Sequence, residues 1–311
     1  MPVYERRSAM PVEAEELFRY HLRPGAFRRL LPSWQRVRIL EEEGDMLDGR
    51  LVFVARLGPW RQRWVAEMHG DAASRTFTDR QVEGPFARWE HTHRFLPREE
   101  GSELVDHVEY ELPGGQAGDL AARRLVAREV DRLFRFRHAR TAFDLGRHAR
   151  WADRPRLTVA VAGAGGLVGS QLVPYLTTAG HRVVRLVRRP AAGPDEVSWD
   201  PAAGRLDPAA LEGVDAVVNL AGVPISGLWT PARRRAIHDS RVSATRTLVA
   251  ALAAAGPRPR VLVNASAVGA YGSRGDAVLD ESQPLGDGFL AGVCRDWEQA
   301  ALAAAGHGVR V

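Results

Sequence analysis

Two rhythms of apolar and polar residues divide this chain. Through residue 147, short runs alternate at period two between Gly, Pro, Asp or Glu boundaries, the pattern of half-buried strands. These runs are Val3–Ser8, Val37–Glu41, Gly49–Arg56, Trp60–His69, Ser74–Val82, Phe86–Phe95 and Ser102–Glu111. Two short helical stretches, Val12–His21 and Gly25–Leu31, follow the first strand, with Pro11 suited to a first helical turn. A long helix over Gly118–Leu145 closes this half, with Leu120, Leu125, Val130, Leu133 and Phe134 near helical spacing. The order predicts an α+β domain whose antiparallel sheet wraps around its last helix, an arrangement that often encloses an apolar cavity.

From residue 157 the rhythm changes. Apolar runs at 157–163 (LTVAVAG), 181–187 (HRVVRLV), 214–220 (VDAVVNL) and 260–266 (RVLVNAS) alternate with helical stretches Gly166–Thr178, Thr230–Ala255 and Phe289–Ala305. Continuous apolar strands between helices predict a parallel sheet covered on both faces. The polar segment 148–156, broken by Pro155, reads as a linker. Expected domains are therefore 1–147 and 157–311.

Composition narrows the chemistry. The chain has 311 residues, 45% of them hydrophobic, enough for two cores. All 43 basic residues are arginine; without lysine it cannot supply a Schiff base, a P-loop lysine or a Tyr-x-x-x-Lys pair. The net charge is +5, but the arginines are interspersed with Asp and Glu, so no nucleic-acid partner is expected. The single cysteine, Cys294, excludes an intrachain disulfide and a Cys-based zinc site. No apolar run reaches the ~18 residues of a membrane span, and the N-terminus lacks signal-peptide regions, so a cytoplasmic protein without a membrane partner is expected.

The main motif is Gly163-Ala-Gly-Gly166-Leu167-Val168-Gly169, directly after an apolar strand and opening a helix. In that context it reads as a Rossmann-type dinucleotide turn. Gly163 permits the tight turn, Gly166 lets backbone approach the pyrophosphate, and Gly169 lets the helix pack closely. An NAD site usually carries an acid at the end of the second strand; here stand Arg188 and Arg189, and a guanidinium forks onto a 2′-phosphate. NADP(H) is therefore expected over NAD(H). Asp200 is a candidate for the adenine edge. Asn219, Ala221 and Gly222 end a buried strand and leave room beside the cofactor.

The motifs GAGGLVG, VVNLAG, SRVSATRTLV, SASAVGAYG and GFLAGVCRDWE, in this order, resemble atypical extended short-chain dehydrogenase/reductases of the epimerase-like kind. The first half, through GPFARWEHTHRF (84–95), Asp106–Tyr110 and LFRFRHAR (133–140), resembles the polyketide-cyclase/START-like helix-grip domain. The resemblance implies an oxidoreductase or epimerase acting on a small molecule, with an apolar ligand in front. It places Ser266 at the catalytic serine and cofactor position, and Arg241 on loop backbone near the site. It also exposes departures. Aligned through Glu298, the expected tyrosine falls at Leu290 and the expected lysine at Cys294, and neither does that chemistry. Tyr271 is the nearest replacement proton donor. Trp297 and Cys294 read as packing residues. Gly308–Val311 looks like the start of a further strand, so the parallel-sheet domain is expected to be incomplete at its C-terminus and prone to self-association.

In the first half, His91 and His93 lie two apart in a strand and face one side. With no third ligand at a convincing spacing, they read as a packed pair rather than a metal site, and Asp79, Glu90, Asp106 and Arg137 as a polar network. The alternative to an enzyme is a non-catalytic dinucleotide sensor or scaffold, or a small-molecule carrier.

Overall fold

The structure, a computed structural model, describes residues 2–57, 60–114, 120–256 and 259–311. The chain divides into two compact units, Met1–Pro155 with Thr177–Ala179, and Arg156–Leu176 with Gly180–Val311. Among the described residues no helix is long and apolar enough to cross a membrane.

The first unit runs β1 (Val3–Met10), α1 (Ala14–Leu22), α2 (Ala26–Arg29), β2 (Val37–Gly44), β3 (Asp48–Leu57), β4 (Trp60–Asp71), β5 (Thr76–Glu83), β6 (Arg88–Pro97), β7 (Ser102–Glu111) and α3 (Leu120–Ala149). Its seven strands form one antiparallel sheet in the order β1-β7-β6-β5-β4-β3-β2. Strands β2 to β7 follow one another as an antiparallel meander. In β6 the alternation puts Trp89, His91, His93 and Phe95 inside. Helix α3 meets the sheet with Val130, Phe134, His138, Thr141, Leu145 and His148, steps of three or four residues. Half of that stripe is polar, which is why apolar spacing traced it only in part: Leu125, expected inside, is exposed. Gly118, where the sequence pattern opens this helix, lies outside the described residues. Two aromatic-rich clusters, one around Tyr20, Phe77, Phe95 and Leu145 and one around Trp89, Tyr110 and Phe134, form the core of this unit.

The second unit runs β8 (Thr158–Ala162), α4 (Gly169–Thr178), β9 (Arg182–Val187), β10 (Glu196–Ser198), β11 (Ala216–Asn219), α5 (Pro231–Ala254), β12 (Val261–Asn264) and α6 (Phe289–Leu302). The sheet is parallel in the order β10-β9-β8-β11-β12, the Rossmann-like order. Helix α5 starts where its sequence says: Thr230 accepts a hydrogen bond from the Arg233 amide at 3.2 Å, and Pro231 fills the first turn. Strand β10 escaped the sequence reading because three residues carry no period. Arg310 forms a parallel bridge with Val261, so the segment at Gly308–Val311 does lie along β12.

Candidate functional site

From β8 the strand order runs outward in opposite directions, toward β9 and toward β11. The C-terminal ends of β8 and β11 therefore flank the crevice where open α/β sheets bind ligands. At the end of β8, Gly163 has φ +78°, and a Cβ there would sit 2.6 Å from the Leu220 carbonyl oxygen. At Gly169 a Cβ would lie 2.3 Å from the Gly163 oxygen and 2.8 Å from Ala164 Cα, so the first turn of α4 packs directly on the loop. The helix begins at Gly169 rather than Gly166 because residues 163–168 form the turn itself, closed by a Gly166 N–H to Gly163 oxygen bond of 3.0 Å. Gly166 is exposed, and the side chains of Leu167 and Val168 stand 90% and 61% exposed. The Leu167 and Val168 amides have no backbone acceptor among the described residues. Free donors at the positive end of a helix suit an anion.

The two arginines after β9 differ. Arg189 forks onto Glu196 of β10 through two 2.7 Å hydrogen bonds, and Arg185 stands 3.3 Å from the same carboxylate. Arg188 is exposed and makes no ion pair or hydrogen bond among the described residues. The sequence assigns both arginines to the cofactor; Arg189 is paired at the sheet edge and Arg188 is not. Asp200 is likewise occupied, by Arg205 at 2.9 Å and by the amides of Ala202 and Ala203 at 3.1 Å each.

The Arg189 pair, with the Ala192 amide, holds the Glu196 carboxyl down to about 2, from an ordinary value of 4.5. A depressed carboxyl contributes stability that is present above the unfolded value and lost as pH falls toward the folded one. The wild-type advantage over Glu196→Gln should therefore be full at pH 7 and shrink steadily between pH 4.5 and 2. Urea midpoints of both proteins across that range check this; a constant difference would contradict it.

On the β11 side, Asn219 is fully buried. Its amide donates to Thr245 Oγ1 at 2.8 Å and Asn264 Oδ1 at 2.7 Å, while its Oδ1 accepts from the Ala221 amide at 3.2 Å. Asn219 thus ties β11 to α5 and β12 and holds the start of the loop, and Ala221 and Gly222 carry that loop along the crevice. Arg241 donates to the Val223 and Ile237 oxygens at 3.2 and 2.9 Å, the loop-backbone role its place implied. Its guanidinium leaves 3.1 Å for a Cβ at Gly222.

After β12, the exposed Ser266 donates its hydroxyl proton to the Glu298 carboxylate of α6. The sequence reading used Glu298 only to align the helix; 32 residues separate the partners, so no local spacing marks the pair. Tyr271 ends a 3-10 turn, Val268–Tyr271. Leu290 packs over that turn, its Cβ 3.2 Å from where a Gly269 Cβ would be. Cys294 is buried, its sulfur 3.7 Å from the Ala267 oxygen, and burial followed by the Glu298 charge pushes the thiol up, away from nucleophilic form. Trp297 is buried, as a packing residue should be. Apolar side chains on the loops after β11 and β12, Leu228 at 85% and Val268 at 87%, are left in solvent.

The first unit holds a second cluster of chemistry. Register sets Asp79 of β5 opposite His91, and His93 opposite Asp106 of β7. His138 of α3 joins Asp106 at 2.9 Å and Ser8 of β1 at 2.8 Å. Burial would lower the His91 imidazole, but the Asp79 and Asp106 carboxylates push it up to about 9. Glu90, expected in this network, points to the other face of β6, beside Arg88 at 3.3 Å, because it is one residue out of phase with the histidines. His138 and Ser8 went unseen because they lie on other elements.

Residues 159–288 match the NAD dependent epimerase/dehydratase family, and residues 10–136 match the polyketide cyclase / dehydrase and lipid transport family. The chain joins an epimerase-family domain to a polyketide-cyclase-like domain. An epimerase family protein of Mycobacterium tuberculosis is 49% identical over 154 residues, 49% of this chain and 50% of that protein. A chloroplastic epimerase family protein of Arabidopsis thaliana is 36% identical over 165 residues, 48% of this chain and 45% of that protein. The chain thus spans about half the length of these relatives. The crystal structure of a nucleoside-diphosphate sugar epimerase from Corynebacterium glutamicum is 32% identical, with a TM-score of 0.82. That likeness covers 99% of this chain and 64% of the other. The epimerase-family domain carries the dinucleotide turn at 163–169, and the family is named for a nicotinamide dinucleotide.

Proposed function

We propose that the second unit binds NADP(H) in the crevice at the ends of β8 and β11 and serves an epimerase-like oxidoreductase. The observation that carries this reading is the pairing of a glycine turn that admits no side chain at Gly163 or Gly169 with an uncommitted Arg188 at the end of the second strand. The pyrophosphate would lie against the Leu167 and Val168 amides, and the exposed Leu167 and Val168 side chains would be covered by the cofactor. Arg188 would fork onto the 2′-phosphate. When bound, the nicotinamide supplies a hydride acceptor or donor.

With leucine and cysteine at the usual tyrosine and lysine positions, proton handling falls to Ser266 and Glu298. In the oxidative direction the substrate hydroxyl would pass its proton to Ser266 Oγ as Ser266 passes its own to the Glu298 carboxylate, and reduction would run the same relay backwards. A nucleoside-diphosphate sugar, after the Corynebacterium relative, is the first substrate class to test. Glu298→Gln should keep NADPH affinity and lower turnover about 10²- to 10⁴-fold, the usual worth of a general acid/base. Turnover unchanged in Glu298→Gln, with a large loss in Tyr271→Phe, would move the role to Tyr271.

A further inference from the structure

In the first unit, the two imidazoles of β6 lie between two carboxylates, and each ring turns one nitrogen to each. His91 Nδ1 and His93 Nε2 stand 2.7 and 3.8 Å from one oxygen, Asp79 Oδ2. The opposite nitrogens, His91 Nε2 and His93 Nδ1, stand 3.3 and 2.7 Å from Asp106 Oδ1. We propose that His91 Nδ1, His93 Nε2 and Asp79 Oδ2 bind one divalent first-row transition-metal ion of the Zn2+ type.

Three features carry the proposal. The first is spacing. All three donor atoms lie within 4.8 Å of one another. Ligands about 2.05 Å from a tetrahedral zinc are roughly 3.3 Å apart, and the observed 2.7 and 3.8 Å bracket that value. The second is the supporting layer. Metal-bound histidines usually give their remote nitrogen to a carboxylate that fixes ring and tautomer. Asp106 Oδ1 stands 3.3 and 2.7 Å from the two remote nitrogens, in position to take that part, and Asp106 is itself held by His138, which meets Ser8. As the rings stand, these three buried atoms make no well-directed hydrogen bond, so the polar capacity of the cluster on the Asp106 side is not filled.

The third feature is charge and access. Asp79 and Asp106 set two carboxylates against the one guanidinium of Arg137. An ion bound here displaces any proton on the ligand nitrogens, and its two positive charges meet the two carboxylates. Two imidazoles and one carboxylate are the borderline donor set of zinc and non-haem iron sites, and three protein ligands leave a position for water or a ligand oxygen. Asp79, with its side chain 25% exposed against 1% for His91, lies on the side nearest solvent.

The test uses the full chain, free of any affinity tag and stripped with a chelator, titrated with Zn2+ and Co2+. One ion per chain is expected, with Co2+ giving the visible bands of mixed nitrogen and oxygen ligation. Asp79→Asn and His93→Gln should each weaken binding more than a hundredfold. Asp106→Asn should weaken it ten- to a hundredfold through the supporting layer. If the ligand variants fail to fold, the wild-type Co2+ spectrum decides. No ion held by folded wild-type protein, or one ion held equally well by Asp79→Asn and His93→Gln, would overturn the site and leave an ion-pair network.

Discussion

Gly169→Val should abolish NADPH binding and destabilise the second unit by about 3 kcal/mol, at the upper end of what overpacking costs. The cause is local. A Cβ at Gly169 would lie 2.3 Å from the Gly163 carbonyl oxygen and 2.8 Å from Ala164 Cα, all backbone, so no flexible side chain can yield. The loop must move away from the strand end, and the amides at the start of α4 lose their aim. Gly165→Ala is the matched control: a Cβ there meets nothing within 4 Å, and stability should stay within about 0.5 kcal/mol of wild type. Calorimetric titration with NADPH and a thermal melt of each variant read both effects. A Gly169→Val protein that binds as well as wild type would show that the turn does not hold the pyrophosphate.

Asp144→Ala should cost the first unit about 3–5 kcal/mol, the usual result of removing one partner of a buried ion pair. Asp144 is fully buried and receives Arg29 through two hydrogen bonds, Nε to Oδ2 at 2.7 Å and Nη2 to Oδ1 at 2.8 Å. Tyr20 adds its hydroxyl at 3.0 Å, and burial with the neighbouring carboxylate pushes that phenol far up, so it stays a donor. Truncating the carboxylate takes the two-bond partner from a guanidinium whose side chain is only 7% exposed. The double variant Arg29→Met, Asp144→Leu removes both charges and should recover most of the loss. Equilibrium urea unfolding of the single and double variants checks this. A single variant within about 1 kcal/mol of wild type would mean that water reaches the pair.

The sequence disclosed the elements that repeat and missed those that do not. Alternation in 89–95 announced β6 and the shared face of His91 and His93, because a strand has a period of two. The same rule, applied to Glu90, would have placed it outside. Helix α3 was recognisable, but its buried face includes His138, Thr141, Asp144 and His148, so a search for apolar residues traced only part of it. The glycine turn was legible because Gly169 answers to Gly163 and Ala164 within six residues and Gly163 to its own φ of +78°, although the Leu220 oxygen that also excludes a Cβ at Gly163 lies on another strand end. The partners of Arg189, Asp200 and Asn219 were not legible for one reason. Each residue is committed to a partner (Glu196, Arg205 and Thr245 with Asn264) that lies on another element or beyond a turn. Ser266 meeting Glu298, and Asp79 completing a set with His91 and His93, belong to the same class, since only tertiary structure brings them together.

On the proposed function, Arg188, and not Arg189, reads a 2′-phosphate above the glycine turn. The measurement that tests it most directly is calorimetric titration of wild-type chain and Arg188→Ala with NADPH and with NADH. Saturable binding that favours NADPH is expected in the wild type. Arg188→Ala should lose NADPH affinity roughly ten- to hundredfold, the worth of about 1.5–3 kcal/mol for hydrogen bonds to a charged group, with NADH affinity unchanged. Equal affinity for the two nucleotides, or an NADPH preference that survives Arg188→Ala, would contradict it.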